Sequence, residues 1–126
     1  MNAPSSLAPC TVAVVDDDST STALLSRILS RAGFAVIVYE SGEELLEQLA
    51  TSRPDVICLD VELPGIDGLE TLRRLQTVEP YLPVILFSAS ADAVRDKALG
   101  AGAFACVDKT RGWNELRAAI ERARGI

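Results

Sequence analysis

The stretch DVICLD, Asp55 to Asp60, sets four apolar residues in an unbroken series between two carboxylates. A strand with one wet face alternates apolar and polar residues. A run this short and continuous, closed by Pro54 before it and by LPGIDG after it, instead marks a strand buried on both faces, as in a parallel sheet. Parallel strands need crossovers, so helices are expected on either side of it.

Both are there. Upstream, TVAVV (Thr11 to Val15) reads as a first strand, and Thr20 to Arg31 places Ala23, Leu24, Ile28 and Leu29 at helical spacing before Gly33 stops it. AVIVYE (Ala35 to Glu40) is the second strand, and Ser41 to Glu44 forms a capping box opening a helix through Leu45, Leu46 and Leu49. Downstream, a third helix is expected from about Leu69 to Thr77. PVILFS (Pro83 to Ser88) is the fourth strand, and Ala91 to Leu99 is a helix ended by Gly100 and Gly102. Phe104 to Val107 is the fifth strand, and Trp113 to Arg124 carries Trp113, Leu116, Ala119, Ile120 and Ala123 on one face. The fold class is therefore α/β: a doubly wound (βα)5 five-stranded parallel sheet with helices on both faces.

A chain of 126 residues is one domain with one core, and 48% hydrophobic content with only 5% aromatic makes that core aliphatic. The Ala, Pro and Ser-rich start, residues 1–10, reads as a flexible leader, with the folded domain over 11–126. No apolar run is long enough to span a bilayer and no signal peptide is recognisable, so a soluble cytoplasmic protein with no membrane partner is expected. The net charge of −6 argues against direct nucleic-acid binding by this domain. Three irregularly spaced cysteines make neither a disulfide framework nor a zinc pattern, and the absence of histidine excludes His metal sites and Ser-His or Cys-His nucleophiles.

In an open parallel sheet, ligands bind beyond the carboxyl ends of the strands. Those ends carry Asp16, Asp17 and Asp18 after the first strand, Asp60 after the third, Ser88 after the fourth and Lys109 after the fifth. Carboxylates gathered in one cleft repel one another unless a cation is present. Oxygen-only ligands with room for water and phosphate oxygens suit Mg2+. A single carboxylate facing a metal and an amine, as Asp60 would, can attack phosphorus to give an acyl phosphate, with Lys109 and Ser88 holding the other oxygens. Asp18 reads as a starter of the following helix.

VVDDD, LDVELPGIDG, FSA and VDK, in order and each at its strand end, resemble a response-regulator receiver domain of two-component signalling, chemotaxis-regulator-like, over about Thr11 to Arg124. The resemblance implies a flavodoxin-like sheet of strand order 2-1-3-4-5. It implies Asp60 as phosphoacceptor and Mg2+ ligand, Asp17 as direct Mg2+ ligand, Asp16 as direct or water-mediated ligand, and the backbone carbonyl of Glu62 completing the protein's donors. Ser88 would be the switch hydroxyl and Lys109 the cation pairing with the phosphoryl group. Pro64 and Gly68 match the turn into the third helix, and Glu62 and Ser90 occupy positions that tune dephosphorylation in the family. The implied partner is a sensor histidine kinase or histidine phosphotransfer protein in a bacterial phosphorelay. The mixed charges Asp92, Arg95, Asp96, Lys97 and Arg111, on the fourth helix, fifth strand and fifth helix, fit an ordinary surface or a homodimer interface.

Two positions depart from the family pattern. Thr110 follows Lys109 where a cis proline is usual, and a cis bond before a non-proline costs about 3 kcal/mol, so a trans bond or a rearranged loop is expected. Cys106 stands where an aromatic switch residue is usual, with Phe104 on the same side of the strand. Two other readings remain open: a small haloacid-dehalogenase-like phosphatase, since Asp16, Asp18 and Thr20 fit D-x-D-x-T, and a pseudo-receiver that works without phosphorylation.

Overall fold

The computed structural model describes residues 9–125. Its elements in chain order are β1 (Thr11–Val15), α1 (Ser19–Arg31), β2 (Ala35–Tyr39), α2 (Gly42–Gln48), β3 (Val56–Leu59), α3 (Gly68–Val78), β4 (Val84–Ser88), α4 (Ala91–Gly100), β5 (Ala105–Asp108) and α5 (Trp113–Ala123), with a 3-10 turn at Lys109–Arg111. All strand pairings are parallel and the order is β2-β1-β3-β4-β5, as the strand pattern and the resemblance together imply. Residues 1–8 of the expected leader lie outside the described residues. Its last residue, Cys10, is part of the core: it is buried, and its carbonyl accepts the Ala35 N–H at 2.9 Å.

Strand alternation sorts the core into two layers. Ala13, Val15, Ile57, Leu59 and Leu86 face Leu45, Leu72, Leu75 and Ala98 of α2, α3 and α4. Val12, Val14, Val56, Cys58 and Ile85 face Leu29, Leu116, Ala119 and Ile120 of α1 and α5. All four residues of β3 are buried, as its unbroken apolar run requires. The face expected of α5 is the one that packs.

Three local expectations need correction. In α1, Leu24 is 60% exposed, and the inward row is Thr22, Leu25 and Leu29. Thr22 can turn inward because its hydroxyl donates to the Ser19 carbonyl at 3.1 Å and is not left unpaired. The fifth strand begins one residue later than expected and ends on Asp108, leaving Phe104 half exposed at its entrance. Gly100 ends α4 from inside it, and Gly102 alone makes the reversal, at φ 103° with Gln76 packed where a Cβ would go.

The three cysteines are free and buried. Burial pushes the Cys58 thiol up to about 12, and raises Cys10 and Cys106 too, despite the opposing charges of Arg124 and Arg95. Thiolate is the reactive form. The native protein should therefore label negligibly with a thiol reagent at neutral pH and fully in denaturant; a rapidly labelled native thiol would contradict the packing. Among the described residues, no helix is long and apolar enough to cross a membrane.

Candidate functional site

Register brings the acids together. Val15 pairs with Leu59, and the ladder runs one residue further, with Asp60 N–H donating to the Val15 carbonyl and Asp16 N–H to the Tyr39 carbonyl, each at 3.0 Å. Asp16 and Asp60 thus leave adjacent central strands side by side, and both are more than nine-tenths buried. Two buried carboxylates are tolerated only with a counter-charge. Lys109, just past β5, supplies it: its Nζ donates to Asp16 Oδ2 at 2.5 Å and to Asp60 Oδ2 at 3.2 Å. Burial pulls the Lys109 ammonium toward deprotonation, but the two carboxylates together outweigh it and hold its pKa above the ordinary lysine value.

The second oxygens of both acids face backbone N–H groups. Asp16 Oδ1 accepts from Asp18 N–H at 3.0 Å, and Asp60 Oδ1 from Glu62 N–H at 3.4 Å. Beside the pair a cleft of about 240 Å3 opens between Leu25, Ile28, Phe87 and Trp113, with Asp16 and Lys109 in its wall.

The other expected site residues are placed differently. Asp17 is exposed, and among the described residues no three acidic side chains converge on one point. Ser88 is buried at the tip of β4, and its Oγ lies 3.1 Å from Ser90 Oγ and accepts the Ser90 N–H at 3.3 Å rather than turning to Asp60. Glu62 is exposed. Asp18 starts α1 as expected: its carboxylate accepts from Thr20 N–H at 3.0 Å and Ser21 Oγ at 3.1 Å, bonds that hold its pKa low.

The Lys109–Thr110 bond is trans, like every other described peptide bond. Without proline, Thr110 keeps its N–H, and Asp108 takes both it and the hydroxyl, at 2.8 and 2.7 Å. The place of the family's aromatic residue is filled by a polar strut. Cys106 Sγ donates to the Ala91 carbonyl at 3.4 Å, while the Cys106 carbonyl accepts from Arg95 at 2.7 Å, and Arg95 pairs with Asp92 at 2.9 Å. Phe104 stands outside this contact. Arg95 looks like one surface charge among several in the sequence; its i, i+3 spacing from Asp92 is the only local signal.

The donor chemistry fits Mg2+: hard oxygens only, from two carboxylates side by side at adjacent strand tips, with Asp16 in the wall of the cleft. The backbone below Asp60 has no slack. A Cβ on Gly68 would lie 2.2 Å from the Asp60 carbonyl oxygen, and Gly68 N–H donates to the Val61 carbonyl at 2.8 Å. Gly68→Ala must therefore move main chain, and should lower unfolding stability by about 3 kcal/mol in urea titration. A wild-type midpoint would show that the loop yields.

The chain matches the family model of the response regulator receiver domain over residues 12–121. It is 42% identical over 113 residues to the DNA-binding transcriptional regulator NtrC of Escherichia coli K12, which covers 87% of this chain and 24% of that protein. It is 39% identical over 89 residues to the alkaline phosphatase synthesis transcriptional regulatory protein PhoP of Bacillus subtilis, 71% of this chain and 37% of that one. The chain thus spans about a quarter of the length of the NtrC relatives it matches. Among solved structures, the response regulator TrrA of Thermotoga maritima, in complex with Mg2+ and BeF, aligns with a TM-score of 0.83 and 29% identity, covering 90% of this chain and 98% of that one.

Proposed function

Because the chain belongs to the response regulator receiver domain family, we propose that it is a Mg2+-dependent phosphoacceptor whose nucleophile is Asp60. A histidine kinase or histidine phosphotransfer protein donates: an Asp60 oxygen bonds to phosphorus as the donor's N–P bond breaks, and the imidazole leaves with the electron pair. The observation that carries this reading is the Lys109 ammonium spanning Asp16 and Asp60 at adjacent strand tips.

Asp60 has few competitors for the role. It is buried, lies beside Asp16 under the same Lys109 ammonium, and has its backbone locked by Gly68. Asp16, Asp17, Asp60 and the Glu62 carbonyl would hold Mg2+, which when bound supplies positive charge against the transferring phosphoryl oxygens. Lys109 pairs with one of those oxygens, and Ser88 reaches another by leaving Ser90. The protein is a phosphoacceptor signalling domain that assists its own phosphorylation and dephosphorylation. The new charge shifts the surface around β4, α4, β5 and α5, where a homodimer or a downstream partner would read it. We place the domain in the cytoplasm, as is typical of response regulators; its net charge of −6 disfavours direct nucleic-acid binding, and among the described residues no helix is long and apolar enough to cross a membrane.

The phosphatase reading loses ground to the geometry, because Asp18, its general acid, is occupied as the α1 cap. Intact mass measurement tests the proposal. Acetyl phosphate with Mg2+ should add one phosphoryl group, and the same mixture with a chelator should add none. Equal uptake without metal would overturn the Mg2+ dependence.

A further inference from the structure

The loop between β3 and α3 is fixed at both ends. It starts at Asp60, closes on itself where Gly68 N–H meets the Val61 carbonyl at 2.8 Å, and ends at Asp67, whose carboxylate caps α3 through Glu70 N–H at 2.9 Å. Its middle is held from outside by Glu43, in the first turn of α2. Glu43 Oε2 accepts the Ile66 N–H at 3.0 Å, and a Cβ on Gly65, at φ 72°, would fall 2.3 Å from that same oxygen. The other carboxylate oxygen, Oε1, is buried with no hydrogen-bond partner.

A glutamate kept only for the α2 dipole would leave its carboxylate in water. Glu43 instead presses it against a loop backbone and leaves one oxygen unsatisfied, a cost that needs a compensating role. Its mount is stiff: a Cβ on Gly42 would meet Thr71 Oγ1 at 2.0 Å, so the first turns of α2 and α3 touch, and that Thr71 hydroxyl donates to the Asp67 carbonyl at 2.8 Å.

We propose that Glu43 is a positioning residue, whose carboxylate clamps the loop at Ile66 and thereby fixes the backbone beside Asp60 on which cation binding depends. This rests on the phosphoacceptor reading, since it acts through the Glu62 carbonyl assigned there. Outer groups that orient metal ligands are commonly worth tenfold or more in affinity.

The test is calorimetric titration of the whole chain with Mg2+ alone, for wild type, Glu43→Ala and Glu43→Gln, with thermal melts of each. Gln keeps an oxygen for the Ile66 N–H and loses the charge; Ala loses both. Glu43→Ala should bind Mg2+ about tenfold more weakly while still folded, and Glu43→Gln should stay close to wild type. Equal affinity in wild type and Glu43→Ala would overturn the clamp, as would an equal loss in both variants, which would mean that charge alone matters. A wild type that binds no Mg2+ overturns the phosphoacceptor reading itself, and is recognised without any variant.

Discussion

Asp60→Asn should fold, bind its partners and take up no phosphoryl group. Asn is nearly isosteric, and its side-chain oxygen can still accept from Lys109, whose ammonium retains Asp16 as counter-charge. The locked backbone around Asp60, set by Gly68 and the Val15 carbonyl, does not depend on the charge. What goes is the nucleophile, because a carboxamide oxygen is too weak a base to displace a leaving group from phosphorus. Loss of a covalent nucleophile lowers rates by on the order of 10^4-fold or more. Mass measurement with acetyl phosphate and Mg2+ reads this directly. An Asn variant that gains a phosphoryl group at the wild-type rate would remove Asp60 from the mechanism.

Lys109→Ala should move two quantities in opposite directions. In the free protein Lys109 occupies the space between Asp16 and Asp60 and neutralises them. Without it the two carboxylates face each other unshielded, and an added cation gains what the ammonium no longer supplies. Mg2+ should therefore bind more tightly to the variant. Phosphoryl uptake should nonetheless slow by about 10^2- to 10^3-fold, the usual cost of removing one preorganised donor to a developing oxyanion. Calorimetry with Mg2+ and initial rates with acetyl phosphate separate the effects. Tighter Mg2+ binding with an unchanged rate would make Lys109 a structural counter-ion alone, and weaker Mg2+ binding would contradict its role as counter-charge to Asp16 and Asp60.

The sheet was legible because its central strands are buried on both faces. Val56 to Leu59 and Val12 to Val15 have no polar residue that would permit any other placement, and the carboxylates that follow them mark the strand ends where chemistry collects. Asp16, Asp60 and Lys109 are consequences of that rule. Helix faces were less legible. In α1, both Leu24 and Leu25 suit a helix, and the choice between them fell to Thr22, whose inward turn depends on a hydroxyl bond to Ser19 that no hydrophobicity pattern records. Phe104 has every preference for a strand interior, yet β5 is an edge strand that starts at Ala105, and the residue just before it can stay half exposed.

Glu43 was hidden by its neighbour. The capping-box pattern directs attention to Ser41 and Glu44, and Ser41 Oγ does accept the Glu44 N–H at 3.1 Å. The Glu44 carboxylate, however, bonds the Glu40 N–H at 2.9 Å instead of that of Ser41, and the residue between them reaches the functional loop. Contacts between elements 23 residues apart in the chain, like Glu43 with Ile66, leave no periodic trace. The Arg95 bond to the Cys106 carbonyl is equally silent, and it is made at the position where the family usually carries an aromatic residue.

The central claim is that Asp60 is the acceptor, and the most direct test is to locate the phosphoryl group in the wild-type protein. Borohydride reduces an acyl phosphate to an alcohol, turning a phosphorylated aspartate into homoserine. After treatment with acetyl phosphate and Mg2+, reduction and peptide sequencing by mass spectrometry, homoserine should appear at position 60 and nowhere else. Homoserine at position 16 with Asp60 intact would contradict the account and restore the phosphatase-type nucleophile.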